Sequence, residues 1–285
     1  MPTYDSAAAA GAPQAAPSTE PSWDGFSQSL RAASRRHISR LTVGKLFFLV
    51  TVLYGGATVW FAPHPPMADL PQYAGQVVLL RDLLLGQSPW ESLLRINYFT
   101  PYLMGYGLAL PLSFLMPVAA ALKLLLMLAF YAFVYSCVVL RRHFHGDERL
   151  DWLFIPGFFG FAYVWGFFTF LIAAPLGLVF VLMADRYAQR PESGTGTRLC
   201  LAGLVLFFSH GLIFLLAFCV GIALLLIRRA QWRKTAAALL PYVPLAALSI
   251  AYALVSYHTE SAITSEPHEL RWSDWLARLS LFNCI

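Results

Sequence analysis

One acidic residue marks the stretch of this sequence with the clearest chemical potential. Asp69 follows a proline-rich turn in "FAPHPPMADLPQYAGQVVLLRDLLLG", directly after the first long apolar segment. A carboxylate on a rigid turn at the edge of a membrane segment is suited to take a proton from a hydroxyl group. Asp69 also precedes Leu70 and Pro71 at the start of a predicted helix, which is good N-cap chemistry. Both interpretations are open, and the two roles do not exclude each other.

Two histidines are candidates for the same chemistry. His210, in "FFSHGLIF", falls at the predicted tip between two short apolar segments. Because imidazole titrates near neutral pH, His210 is a candidate to contact a diphosphate or relay a proton; the alternative is that it only caps the turn. His64 lies five residues before Asp69 on the same side of the membrane, so a His–Asp pair is a further hypothesis.

Three basic residues are candidate partners for a phosphate group. Arg81 and Arg95 are the basic residues of the long loop after the first apolar segment, although Arg81 beside Asp82 also fits a solvated helix edge. Lys123 lies within an apolar segment, where a charge is costly. It either holds a lipid-linked phosphate or extends its long side chain to the interface without further function.

Motifs of other enzyme classes do not occur. The sequence contains no glycine-rich phosphate loop, HExxH, nucleophile elbow or CxxC, and its four cysteines lack metal-ligand spacing. The basic residues flank hydrophobic runs, which indicates topology and not binding to nucleic acid. The 22 Phe, 13 Tyr and 8 Trp suit either a polyprenyl chain or the ordinary aromatic belts of a membrane protein.

The composition predicts an all-α, polytopic transmembrane bundle. Of 285 residues, 58% are hydrophobic and 12% charged, and the mean hydropathy is +0.61; soluble domains carry about a quarter charged residues. We expect a disordered, basic-ended cytoplasmic tail at 1–40 and a transmembrane module at 41–257. An external segment at 258–285 would follow, with the chain ending early enough to suggest truncation or a missing partner.

About seven spans are predicted. Spans at Leu46–Ala62, Val118–Leu140 and Thr235–Tyr257 have ordinary length, whereas Trp152–Ala184 and Leu199–Ile227 are too long for one crossing. We divide these two blocks at "VWGFFTF" and "SHG" and expect 185–198 to be a polar loop. The long loop at 63–117 would contain an amphipathic surface helix with an apolar stripe, Leu70, Tyr73, Val77, Leu80 and Leu84. The proline-rich "TPYLMGYGLALPLSFLMP" is too broken to be predicted as a span.

The distribution of charge favours one orientation. With seven spans, the first tail and the loops at 141–149, 186–198 and 228–234 hold 15 of the 20 Lys and Arg residues, and the opposite side holds four. Because basic residues accumulate on the cytoplasmic side, we expect a cytoplasmic N-terminus in the plasma or inner membrane. The long first loop would then be external.

This arrangement resembles the N-terminal module of the GT-C superfamily of membrane glycosyltransferases, which includes oligosaccharyltransferase catalytic subunits and protein O-mannosyltransferases. The features that carry the resemblance are the acid after the first span in "PPMADLP", the surface helices, the short paired spans and the tip motif in "FFSHGLIF". The resemblance implies that Asp69 acts as catalytic base on the acceptor, or helps bind a metal ion. It also implies a donor sugar on a polyprenyl phosphate.

One departure qualifies what the resemblance implies. The second external loop of many family members carries another acid, but "YVWGFFTFL" has none, so a reaction without a divalent metal is favoured. The alternative function is a non-catalytic scaffold or a transporter-like protein of the same fold. A transporter usually has ionisable residues near the midplane of several spans, and here Lys123 alone is predicted within one.

Overall fold

The computed structural model describes residues 43–228 and 236–263, with side chains of the last helix described to residue 257. The predicted tail at 1–40 and most of the predicted external segment at 258–285 lie outside these ranges. The chain divides into two compact units, Met1–Val50 and Thr51–Ile285. The packing and the site described below belong to the second unit.

The described chain is helical and contains no β-strand. Its first helices are α1 (Val43–Ala57, extended by a 3-10 turn at Thr58–Trp60), α2 (Leu70–Leu84), α3 (Leu103–Leu115) and α4 (Val118–His143). After a 3-10 turn at Glu148–Leu150 come α5 (Asp151–Phe158), α6 (Phe161–Trp165), α7 (Phe168–Gln189), α8 (Ser193–Ser209) and α9 (Gly211–Arg228). A 3-10 turn at Leu240–Tyr242 leads into α10 (Val243–Ile263).

Five helices are long and apolar enough to cross a membrane. They are Val43–Trp60, Val118–His143, Phe168–Gln189, Gly211–Arg228 and Ala236–Tyr257. A span needs about 20 predominantly apolar residues; three of the five exceed that length, and the first and the fourth have 18 residues. The prediction of an all-α integral membrane protein is confirmed at this level.

Helix α7 lies at the centre of the second unit. It packs against α4, α8 and α9, and Phe180 and Ala184 on it are fully buried. A Cβ atom at Gly177 would lie 2.5 Å from Ile213 of α9. Glycine therefore allows the close approach of two apolar helices, as is common between helices in membranes.

The break predicted in the block Trp152–Ala184 is confirmed, but the two halves differ from the prediction. The chain turns at Gly166 and Phe167, within "VWGFFTF". The first half forms the short helices α5 and α6 rather than one continuous helix, because Gly160 between them adopts an extended conformation with ψ −153°. The second half, α7, is 22 residues long and continues five residues beyond Ala184.

The polar loop predicted at 185–198 is wrong. Only residues 190–192 connect α7 to α8, because the polar residues find partners within the helical structure. The buried carboxylate of Asp185 accepts hydrogen bonds from Gln189 (2.6 Å) and Arg228 (2.7 Å) and lies 2.7 Å from His143 Nε2. The start of α8 is fixed by reciprocal side-chain and backbone hydrogen bonds between Glu192 and Thr195.

Three further sequence predictions concern the break at "SHG", the helix of the long loop and the proline-rich segment that follows it. The break at "SHG" is confirmed, since α8 ends at Ser209, α9 begins at Gly211 and His210 between them is extended. The helix predicted in the long loop forms as α2, with Leu70 and Val77 buried and Leu84 exposed, and its position along the bilayer surface stays a prediction. The segment judged too broken forms α3, a 13-residue helix that contains Pro111 at an exposed position.

Candidate functional site

A polar cavity of about 310 Å³ lies where α2, α3, the start of α7 and the turn between α8 and α9 meet. One face of α2 supplies four of its polar side chains, Asp69, Gln72, Tyr73 and Gln76. These residues are three, four and seven positions apart, so they share one side of the helix. The opposite walls carry hydroxyl, imidazole and aromatic groups, among them Tyr102, Tyr106, Thr169, Phe170 and His210.

Asp69 presents a free carboxylate to this cavity. It occupies the N-cap position of α2, but its side chain makes no capping hydrogen bond, so the interpretation of Asp69 as a simple helix cap is not supported. Within the described ranges, its carboxylate has no hydrogen bond or ion pair. The side chain is half-buried. A carboxylate in this state is available to accept a hydrogen bond from a ligand.

The backbone of Asp69 is held by the last residues of α6. The N–H of Ala68 donates to Val164 O and the N–H of Asp69 donates to Trp165 O, each at 3.1 Å. These two bonds tie the first long connection of the chain to the end of α6. They fix the position of Asp69 independently of its side chain.

Gly166 is the residue that allows this contact. Its φ of +85° lies in the left-handed region that favours glycine. A Cβ atom at Gly166 would lie 2.6 Å from the backbone nitrogen of Asp69 and 3.1 Å from that of Leu70. Both the conformation and the space therefore require glycine here.

The tyrosines of the cavity are neutral hydrogen-bonding groups. Tyr106 donates to Gln76 Oε1. Burial raises the pKa of Tyr73, with the polar side chain of Thr169 opposing the effect and the Asp69 carboxylate adding to it. Burial also raises the pKa of Tyr102 to about 12. The phenol groups therefore keep their protons at neutral pH.

His210 lies between two aromatic rings in the connection between α8 and α9. Its ring centroid is 5.2 Å from that of Tyr102 and 5.4 Å from that of Phe170, both edge to face. Burial lowers the pKa of His210 to about 4, so the ring is neutral at physiological pH. Its Nδ1 atom is buried and has no hydrogen-bond partner within the described part of the chain.

Lys123 does not line the cavity. Its side chain is 7% exposed, and its Nζ donates to the carbonyl oxygen of Ala62 at 2.5 Å. The Nζ atom also lies 5.9 Å from the centroid of the Trp60 ring, within cation–π range. These contacts join α4 to the end of the first span, and Lys123 is not among the residues that line the cavity beside Asp69.

The other predicted binding residues also lie outside the cavity lining. Arg81 pairs with Asp82 (Nε to Oδ1, 3.3 Å) and lies 3.5 Å from Ser113 O of α3, which fits a role in helix packing. His64 and Arg95 are exposed. Of the six candidate residues predicted from the sequence, the structure brings Asp69 and His210 together.

Sequence reasoning missed most of the polar lining. The predicted α2 stripe counted only apolar positions, although "DLPQYAGQ" carries Gln72 and Gln76 at helical spacing from Asp69. The four-residue step from Tyr102 to Tyr106 is a similar signal on α3. Gly166 carried a weaker signal, as a glycine within an aromatic run, because its contact with Asp69 joins positions almost 100 residues apart.

A larger cavity of about 560 Å³ lies near the other end of α7, beside Tyr187, Glu192 and Cys200. The one carboxylate among its described lining residues, that of Glu192, already accepts a hydrogen bond from the backbone at the start of α8. These lining residues therefore offer no free acid or base, and the cavity beside Asp69 is the better candidate for chemistry.

A metal site would have few ligands in this region. Among the residues that line the cavity beside Asp69, this aspartate is the one carboxylate and His210 the one imidazole. Across residues 43–228 and 236–263, no three His, Cys, Asp or Glu side chains are grouped as metal ligands. A divalent ion at Asp69 would need its remaining ligands from water or substrate.

Comparison with known proteins identifies no relative. No protein-family model, curated protein or solved structure matches this chain. The chemistry of the cavity must therefore be argued from its own groups: one free carboxylate, two amides, hydroxyl groups, a neutral imidazole and aromatic rings. Such a set suits a ligand with many hydroxyl groups, one of which the carboxylate can deprotonate.

Proposed function

We propose that this protein is a membrane glycosyltransferase of the GT-C type, which moves a sugar from a polyprenyl-phosphate donor to a hydroxyl acceptor. The observation that carries the proposal is the free carboxylate of Asp69 in a cavity rich in hydroxyl and amide groups. The bilayer supplies the donor lipid. Recognition of the acceptor would involve a further protein or a further part of this chain.

Asp69 acts in this proposal as the general base. Its carboxylate takes the proton of the acceptor hydroxyl while the acceptor oxygen forms a bond to the anomeric carbon of the sugar. The bond from that carbon to the phosphate oxygen breaks, and the phosphate leaves with the electron pair. Attack opposite the leaving group inverts the anomeric centre. The hydrogen bonds to Trp165 and the turn at Gly166 keep the base in position.

The proposed architecture has seven crossings and places the cavity on the external face. Two shorter segments, Asp151–Trp165 and Ser193–Ser209, would cross in addition to the five long helices. In support, Asp151 pairs with Arg141 (2.8 Å) near the end of α4, whereas Gly166 contacts Asp69 beside the start of α7. The excess of basic residues at the Arg141 end makes that end cytoplasmic.

A second candidate function is binding of a sugar without transfer, as in a scaffold or transporter-like protein. The observation that favours it is that no Lys or Arg lines the described cavity, although a leaving phosphate is usually stabilised by cations. The two candidates differ in one property, since only the transferase releases polyprenyl phosphate.

The proposal is tested with purified protein reconstituted in liposomes. Labelled polyprenyl-phosphate sugars are supplied together with membrane and protein extracts as acceptors, and released polyprenyl phosphate is measured by mass spectrometry. We expect turnover by the wild type and by Asp82→Asn, a control in which the acid pairs with Arg81. Asp69→Asn should be slower by a factor of about 10²–10⁴, the usual contribution of a general base.

Two outcomes would overturn the transferase. The first is wild-type turnover by Asp69→Asn at equal abundance. The second is saturable sugar binding by the wild type with no release of polyprenyl phosphate from any donor, which supports the second candidate function.

A further inference from the structure

We propose that the cavity beside Asp69 binds one uncharged sugar ring, with His210 Nδ1 hydrogen-bonded directly to a sugar hydroxyl. The donor phosphate lies outside this cavity. This inference rests on the proposed function and names the substrate class and a further binding residue of the same site.

The first argument is the unsatisfied nitrogen of His210. Nδ1 is buried and has no partner among the described residues, and leaving such a group unpaired costs about 1–3 kcal/mol. The rings of Tyr102 and Phe170 contact the imidazole edge to face, so they pack against it without satisfying this atom. A ligand hydroxyl both donates and accepts, and therefore matches Nδ1 in either neutral tautomer.

The second argument is the charge of the lining. Asp69 is the one charged side chain among the described lining residues, and it is negative. Protein sites for phosphate usually present Arg, Lys or a cluster of backbone N–H groups. A carboxylate beside a neutral imidazole instead repels a phosphate. The chemistry of the cavity therefore selects an uncharged group.

The third argument is the combination of fixed polar groups with aromatic walls. The hydrogen bond from Tyr106 to Gln76 orients the amide on α2, and Gln72 lies one turn earlier on the same face. Phe161 and Phe167 also line the cavity and offer apolar surface to the C–H face of a ring. The volume, about 310 Å³, lies at the lower end of the range of about 300–1,000 Å³ for small-molecule sites, which suits one ring.

The test measures equilibrium binding without any donor. Wild-type protein in lipid nanodiscs is titrated with the methyl glycosides of common hexoses and pentoses and, separately, with inorganic phosphate and glycerol phosphate. The readouts are calorimetry and ligand-detected NMR. We expect saturable binding of at least one methyl glycoside and none of either phosphate. Failure of every glycoside to bind, or saturable binding of phosphate alone, would overturn the inference.

Variants of the histidine test its role. His210→Phe keeps an aromatic ring but removes the nitrogen, so we expect at least a tenfold loss of affinity. His210→Gln restores a polar partner and should bind within about threefold of the wild type. His64→Phe is the matched control, because His64 is exposed and outside the lining. Wild-type affinity in His210→Phe would contradict direct contact.

A poorly folded His210→Phe does not affect the first measurement, which uses only wild-type protein, and His210→Gln provides the second comparison. The binding assay also separates this inference from the transferase proposal. Sugar binding without transfer refutes the transferase alone, whereas transfer without binding of any free glycoside refutes this inference alone.

Discussion

Gly166→Ala tests whether the turn after α6 holds the Asp69 backbone. The substitution adds a Cβ atom 2.6 Å from the Asp69 nitrogen at a position where φ is +85°. The left-handed conformation costs a non-glycine residue about 1–2 kcal/mol. The added atom must also push the turn away from residues 68–70, which lengthens the hydrogen bonds from Ala68 to Val164 and from Asp69 to Trp165.

The expected loss is the sum of these two effects. Each backbone hydrogen bond contributes about 0.5–1.5 kcal/mol net, so weakening both adds about 1–3 kcal/mol. We therefore expect Gly166→Ala to lower the free energy of unfolding by about 2–5 kcal/mol. Sugar affinity and transfer should also fall, because the carboxylate of Asp69 moves with its backbone.

Substitutions at two other glycines separate the cost of the left-handed conformation from the cost of the close contact with Asp69. Gly86 also has a positive φ, +64°, but a Cβ there meets no atom within 4 Å, so Gly86→Ala should cost only about 1–2 kcal/mol. Gly75 lies in the interior of α2 with open space around it, so Gly75→Ala should stabilise the helix by about 0.5–1 kcal/mol. The assay is unfolding in mixed detergent–SDS micelles followed by circular dichroism. If Gly166→Ala loses no more stability than Gly86→Ala, the contact between the turn and Asp69 does not support the site.

Three further predictions concern Asp185, Lys123 and His210. Asp185→Asn should lower the free energy of unfolding by about 3–5 kcal/mol, because it removes a buried charge that pairs with His143 and Arg228. The control Asp82→Asn changes a partly exposed pair and should cost less than about 1 kcal/mol in the same unfolding assay. Lys123→Met should leave sugar affinity within twofold of the wild type, because Lys123 does not line the cavity, and a tenfold loss in the titration would be incompatible with this placement. Burial lowers the pKa of His210 from 6.5 to about 4. As the pH falls, the unfolded chain therefore binds a proton at this histidine before the folded chain does. The free energy of unfolding should decrease as the pH drops from about 6.5 to about 4. Unfolding of His210→Phe across this range should lack that part of the slope, and an identical slope in both proteins would contradict the burial of the ring.

The breaks in the helical pattern were predictable because local chemistry determines them. A polar residue or a glycine inside an apolar block interrupts the helix where neighbouring residues make no compensating contacts, as at His210 and Gly166. The helix at Leu70–Leu84 was predictable from its apolar periodicity. Asp69 and His210 were predicted on the same side of the membrane from helix order alone, and the structure brings them to one cavity.

Long-range pairing was not predictable in the same way. The polar segment after Ala184 was expected to be a loop because it is locally hydrophilic, yet Asp185 is satisfied by His143 and Arg228, both more than 40 positions away. The sequence offered a phosphate or the membrane interface as partners for Lys123, and its hydrogen bond to the carbonyl oxygen of Ala62, 61 positions away, was not predicted. Sequence periodicity contains no information on such partners.

The most direct test of the central claim, that the Asp69 carboxylate performs chemistry on a bound sugar, is the single-turnover transfer rate of Asp69→Asn in liposomes. We expect this rate to fall by a factor of about 10²–10⁴ relative to the wild type, while the affinity for the methyl glycoside changes by less than tenfold. A wild-type rate in Asp69→Asn, with the glycoside still bound in the cavity, would contradict the claim.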